Sequence, residues 1–374
     1  MKSVFVVQFG EEMIKKLLKA NSWPIFILTL LVGFPGKTEA QLLGGGQSYA
    51  FLNTPFSARQ TALFQQLNLR EEDNNLAVFN PALLNPQMDQ QISFSTLFHF
   101  DDIQSGSFNF SHHLDSSGIT WHTGVHFMNY GDFVRTDVRG VENGNFNASD
   151  LAWHVGVGYQ LYERMAVGLN ARWIHSNYDV FNSSALGFDA GIQYFVSEKR
   201  MSLALVANNF GFVLSEFTDE TRGRLPTNVQ LAFSKRFEHL PFRYSIIYQH
   251  LEDWDLLYDD QTDETNAGGF ILTENQIEDG FFDILLLHFV VNAELLLGKR
   301  ETIRLRASYN HLRREELQLD NFSSGAGFSF GVGIRISKFR LDYGRSLFHQ
   351  AGGTNHLSFS TNLNFFRDQT ILSN

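Results

Sequence analysis

His122 and His126 share a face of one strand-like segment, 117–128, and His154 sits on the matching face of the next, 149–160. Three imidazoles are enough to hold zinc, so these residues are weighed first. Positions four apart on a strand lie roughly 13 Å apart, too far to share one ion. The three read as polar residues lining an interior, and no metal or other cofactor is expected. Other chemistry is equally thin. There is no His-Glu-x-x-His helix, no phosphate loop running into Lys-Ser/Thr, and no nucleophile elbow at a strand-to-helix turn. GVGYQL (156–161) and GAGFSFGVG (325–333) are rich in glycine, but no helix follows to receive a phosphate. They read as strands whose inner face must be small.

Two groups of charges stand out. Glu294 shares its facing with Arg304 and Arg306 across a hairpin of strands 283–297 and 301–311, turned at Gly298-Lys299-Arg300. Same-face residues opposite each other in a hairpin approach to about 5 Å, and an isolated interior carboxylate is costly unless paired. A structural salt bridge is therefore expected, not a proton-handling site, with the second arginine reaching Asp342 or an interior segment. Arg340 belongs to the same inward set. The second group is the stretch 251–280, with ten Asp or Glu and no Lys or Arg, which nearly equals the chain's net charge of −11. Asp253, Asp255, Asp259, Asp260, Asp263 and Glu264 lie in its first half. It reads as a solvated acidic loop, as a docking site for a basic partner surface, or as a place for cation bridging to lipopolysaccharide. EF-hand spacing is absent.

The elements that position these residues follow a period of two. In FSFGVGIRISKFRLDYGRS (328–346), Phe328, Phe330, Val332 and Ile334 alternate with Ser329, Gly331, Gly333 and Arg335. Leu151, Trp153, Val155, Val157 and Tyr159 alternate with His154, Gly156, Gly158 and Gln160 in the same way. Alternation means strands. About fourteen such segments lie between 91–100 and 354–365, most of ten to twelve residues, which is the length of a tilted membrane-crossing strand. Connections after even strands are short: DSSG, YERM, SEKR, EHLP, GKRE and Ser337-Lys338. Those after odd strands include 129–148, 210–225 and 252–282. Short periplasmic turns and long extracellular loops mark outer-membrane barrels. The fold class is thus all-β: a transmembrane outer-membrane β-barrel of about 14 antiparallel strands, apolar toward lipid, small and charged toward the lumen.

Composition agrees. Aromatics make up 14% with 37 Phe, yet mean hydropathy is only −0.16, as alternating lipid-facing strands require. There is no cysteine, hence no disulfide framework or thiolate chemistry. The acidic balance leaves no basic patch for nucleic acid. Residues 1–40 read as a signal peptide, with Lys15, Lys16 and Lys19 before the apolar run PIFILTLLVGF (24–34) and Thr38-Glu39-Ala40 before Gln41; Met13 is a second candidate start. Residues 41–90 read as an N-terminal segment that either plugs the lumen or forms a periplasmic arm, 91–366 as the barrel, and 367–374 as a periplasmic tail.

TPFSARQTALFQ (54–65), FNPALLNPQM (79–88), HLRREEL (311–317), GFSFGVG (327–333) and AGGTNHLSFS (351–360) together resemble the PorQ family. Its members are outer-membrane components of the Bacteroidetes type IX secretion system, related to PorV and remotely to FadL fatty-acid channels. The resemblance spans nearly all of the chain after the signal. It implies a FadL-like, fourteen-stranded barrel without enzymatic activity that holds the surface protein PorZ, with the sortase-like PorU and with PorV, in an attachment complex joining secreted cargo to lipopolysaccharide. The alternative is a FadL-like channel for hydrophobic small molecules, which needs a continuous pocket past the plug and an opening in the wall. An outer-membrane hydrolase would need a Ser-His pair facing lipid, whereas the histidines mostly fall on the polar side.

Overall fold

A computed structural model describes residues 48–366 except 101, 219–222, 255, 257–280, 299–300, 317–324 and 350–351. The expected signal peptide, the tail and most of the acidic stretch lie outside the described residues.

Fourteen antiparallel strands close into a barrel, each paired with its sequence neighbours, and the first sealed against the last. They are β1 (Gln91–Phe98), β2 (Gln104–Leu114), β3 (Ile119–Thr136), β4 (Glu142–Tyr162) and β5 (Met165–Tyr178). There follow β6 (Phe181–Val196), β7 (Met201–Ser215), β8 (Asn228–Arg236), β9 (Phe242–Tyr248) and β10 (Phe289–Leu297). The wall is completed by β11 (Ile303–Asn310), β12 (Phe328–Ile336), β13 (Phe339–His349) and β14 (Gly352–Asn362). Alternation does the sorting. Along β4, Leu151, Trp153, Val155, Val157 and Tyr159 are exposed on the outside, whereas Ala152 and His154 are buried on the inside. A closed barrel with an apolar exterior leaves no unpaired edge in hydrocarbon, which is the condition for crossing a membrane as strands. The protein is an integral barrel of the bacterial outer membrane.

Three expectations need correction. Residues 129–148 are mostly not loop: β3 and β4 run on as a two-stranded ribbon turned at 137–141. Asp137 closes that turn by accepting from Arg139 N at 2.8 Å and Val141 N at 3.0 Å, and the Val141 and Arg139 amides hold its carboxyl below the usual carboxylate range. β7 likewise continues through Ser215, into the expected loop 210–225. The segment expected as strand 283–297 begins instead as a helix, Phe281–Leu287, and becomes strand only at Phe289. Its run of apolar residues has no alternation, and periodicity cannot separate helix from strand there.

The segment 48–90 lies inside the barrel. It comprises helix α1 (Ala58–Ala62) and short 3-10 turns at Ala50–Asn53, Asn74–Val78, Pro81–Leu83 and Pro86–Met88. Phe56, Phe64, Leu67, Val78 and Phe79 pack with the inward Ala204, Val206, Ala232, Ile247 and Val290 as one apolar cluster. Inward polar residues such as His122, Asn170 and Ser176 are buried although they face the lumen.

Candidate functional site

The inner glycines form two seats for this interior segment. Gly158, Gly168 and Gly191 are cross-strand neighbours on β4, β5 and β6. A Cβ on Gly168 would stand 2.2 Å from Pro81 C, and one on Gly158 2.5 Å from Leu84 Cβ. The turn seated there is built by the FNPALLNPQM stretch. Asn80 accepts from Ala82 N at 3.0 Å and Asn85 from Gln87 N at 2.9 Å, each followed by a proline at the first turn position. Proline suits that place because its missing N–H is not needed. The second seat pairs Gly331 with Gly344, where a Cβ would meet Ala62 Cβ at 2.5 Å and Ala58 O at 2.2 Å. Helix α1, capped by Ser57, lies in it.

Around the seats the wall supplies donors. Irregular backbone leaves carbonyls without ladder partners, and buried ones must be satisfied. Arg172 Nη2 donates to Val78 O at 2.6 Å, and Asn170 Nδ2 to the same oxygen at 2.9 Å. Asn208 Nδ2 reaches Phe79 O at 2.7 Å, Ser107 Oγ reaches Phe56 O at 2.8 Å, and Ser308 Oγ reaches Ala62 O at 2.9 Å. The reverse also occurs, with Ala58 N donating to Ser358 Oγ at 2.7 Å. The small polar residues inside the wall thus act as partners for a folded insert.

The charges join insert to wall. Glu294 lies opposite Arg306 in the β10–β11 ladder and accepts from its Nε at 3.0 Å. It also accepts from Arg243 of β9 at 2.5 Å and Arg59 of α1 at 3.4 Å. Arg306 reaches Asp342 with its other arm at 2.5 Å. Arg304 turns to Glu71 of the insert at 2.6 Å and to Glu301 at 3.2 Å. Arg59 further holds Glu71 at 2.9 Å and Asp73 at 3.1 Å, Arg243 also pairs with Glu71, and Arg340 stands 3.5 Å from Asp73. Buried carboxylates and guanidiniums interleave, so each desolvated charge has an opposite neighbour. Arg59, Glu71, Asp73 and Arg243 escaped the sequence reading. The signal was there in Arg243, an inward period-two position among FRYSIIY; Arg59 lies in the short helix ARQTA, all five residues of which are buried.

The histidines serve packing and hydrogen bonding. His122 Nε2 meets Asn170 Oδ1 at 2.8 Å, His126 Nε2 meets Ser105 Oγ at 2.9 Å, and His154 packs on the edge of Phe56. A Gly-x-Ser-x-Gly spacing does occur at residues 327–331, but Ser329 sits within β12 with its Oγ donating to Ser346 at 2.7 Å. No turn presents it as a nucleophile. Of the acidic stretch, Asp253 is half-buried with its N–H on His250 O; Asp255, Asp259, Asp260, Asp263 and Glu264 lie outside the described residues. HLRREEL begins as a helix, His311–Glu316, whose Arg313 lies over the Phe64 ring.

No protein-family model and no curated protein matches the chain. Among solved structures, a TodX monoaromatic hydrocarbon channel deltaS2 mutant is similar at 12% identity and a TM-score of 0.46, over 83% of this chain and 98% of that one. The CymD monoaromatic hydrocarbon channel is similar at 13% identity and 0.44, over 82% and 96%. A Pseudomonas aeruginosa FadL homologue is similar at 10% identity and 0.43, over 83% and 98%.

Proposed function

We propose that this chain is a non-enzymatic outer-membrane barrel, sealed by its own N-terminal segment, that anchors a surface attachment complex. The filled lumen carries the reading: insert and wall are joined by interleaved buried ion pairs and by wall donors on insert carbonyls. A pore would need water where these groups meet. The resemblance to PorQ supplies the finer content, a PorZ-like partner held with PorU and PorV, and the acidic stretch from Asp253 is the candidate partner-facing loop. The short-turn end faces the periplasm, so an epitope tag at Val138 is accessible on intact cells and one at Lys199 is not. Purification from native membranes then tests the role. Recovery of a large surface protein without a retained lipid supports the anchor, and its absence removes it.

A second reading is a channel for hydrophobic small molecules, the role that the names of TodX and CymD carry. One observation favours it here. The β6–β7 register shifts between Phe188 and Ala190, where Asn209 N donates to the Asp189 carboxylate at 2.9 Å. That bulge lies near an apolar layer of Tyr49, Phe51, Leu52, Ile174 and Leu225. Purified barrel that retains a fatty acid or an aromatic hydrocarbon, and exchanges it across liposomes, selects this reading.

A further inference from the structure

Arg70 departs from the pattern of the other inward arginines. Arg59, Arg172, Arg243, Arg304 and Arg306 each meet a carboxylate. Glu71, next to Arg70 in the chain, is turned to Arg59, Arg243 and Arg304. Arg70 instead donates from Nη2 to the neutral Gln160 Oε1 at 2.8 Å, and its guanidinium carbon stands 4.7 Å over the centre of the Phe195 ring. Its Nη1 is buried without a hydrogen-bond partner, and no acidic side chain among the described residues pairs with it. A partly desolvated guanidinium is normally matched by a counter-charge. This one is not.

The unmatched charge borders a cleft of about 470 Å³, a size within the range of small-molecule sites. The cleft lies at the short-turn end of the barrel, between the insert and the β3–β4 wall. Leu84 and Pro86 line it from the insert, and Ser117, Thr120 and Gln160 from the wall and its turn. Nearby polar groups already have partners: His113 Nδ1 meets Thr120 Oγ1 at 2.8 Å, and Gln160 Nε2 donates to Glu163 O at 3.2 Å. Gln160 thus holds the arginine beside the cleft without neutralising it.

We propose that this cleft binds a small organic monocarboxylate, its carboxylate on the Arg70 guanidinium and the rest of the molecule against Leu84 and Pro86. Guanidinium and carboxylate match in planar geometry as well as in charge. The charge count sets the valence. Among the described residues lining the cleft, Arg70 is the only Lys or Arg, and Glu163 on the same lining is an acid. A phosphate dianion would therefore leave an excess of negative charge. Bound there, the ligand ties insert to wall at this end of the barrel. The proposal goes beyond the anchoring reading and does not depend on it.

Ligand-observed NMR on the purified barrel compares three probes: N-acetylalanine, its neutral amide and inorganic phosphate. Heat-modifiable migration checks that each protein has folded. The wild type is expected to bind N-acetylalanine saturably and the amide about tenfold more weakly, the usual worth of a bond to a charged group. Arg70→Gln should weaken binding of the acid by a similar factor and leave the amide unchanged, and Arg70→Lys should recover part of the loss. Should Arg70→Gln fail to fold, Ser117→Tyr fills the cleft from an exposed turn position and should also weaken binding of the acid. Equal binding of acid and amide, full binding of the acid by either folded variant, or no saturable binding by the wild type overturns the proposal. Tighter binding of phosphate than of N-acetylalanine overturns the monocarboxylate assignment.

Discussion

Arg306 and Glu294 face each other across the β10–β11 hairpin, with Nε and Oε1 3.0 Å apart and both side chains at most 2% exposed. Neighbouring Arg304, of the same facing, bonds Glu71 and Glu301. A double-mutant cycle should therefore return about 1–3 kcal/mol of coupling for Glu294→Gln with Arg306→Gln, as contacting charged residues do. The same cycle with Arg304→Gln should return a smaller coupling, since Arg304 reaches Glu294 only through Glu71 and the arginines that Glu71 shares with it. The reverse order would mean that the hairpin is paired in another register.

Glu71 carries three guanidiniums, from Arg59, Arg243 and Arg304. Glu71→Gln leaves them facing one another with one fewer counter-charge, and breaking such a buried set costs about 3–5 kcal/mol. Part of that cost falls on the seating of the insert. Planar-bilayer recordings should find the wild type silent and Glu71→Gln flickering, and denaturant titration should show the lower stability. A silent, fully stable Glu71→Gln would separate the ion pairs from the seal.

The strands were legible because lipid and insert impose opposite demands on alternate residues, so the pattern is written twice along β4 and β12. The inner face explains why less of the site could be read. Gly168 and Gly344 look alike in sequence, and only the folded insert shows that one meets Pro81 and the other Ala58. Glu294 and Arg306 were visible as a pair because a hairpin fixes local register. Arg59 and Arg243 were not, since their meeting with Glu294 depends on contacts 235 and 51 residues apart in the chain. The helix at Phe281–Leu287 was hidden by a run without period.

Val332, midway along β12 and facing outward, tests the lipid face. Arginine there should cost roughly 2–4 kcal/mol, whereas arginine at Ile336, beside the Ser337-Lys338 turn, should cost about 0–1 kcal/mol. Ser308 is unsuited as an inward control because its Oγ already bonds Ala62 O and no space remains for a long side chain. Folding titrations into lipid vesicles measure both. Equal costs at the two depths would contradict a membrane-spanning β12.

Gly168 and Gly187 provide the most selective test of the seat, because both lie on the lumen side of adjacent strands and differ in what a methyl group would meet. At Gly168 an added Cβ stands 2.2 Å from Pro81 C, 2.4 Å from Pro81 O and 2.5 Å from Ala82 N. These are backbone atoms held by the Asn80 cap, so the insert must shift as a unit. At Gly187 the nearest atom is the end of Ile174, 3.4 Å away, an ordinary contact. Gly168→Ala should then cost about 1–3 kcal/mol, the usual penalty for overfilling a packed interior, and Gly187→Ala should be near neutral. The backbone gives no competing reason, since neither glycine has the left-handed φ that a side chain would strain. Limited proteolysis distinguishes a shifted insert from a weakened wall: Gly168→Ala should expose cleavage around 80–84 while the barrel fragment stays intact. If both variants lose stability equally, or cleavage falls in the strands, the close approach of Pro81 to β5 is not what holds the insert.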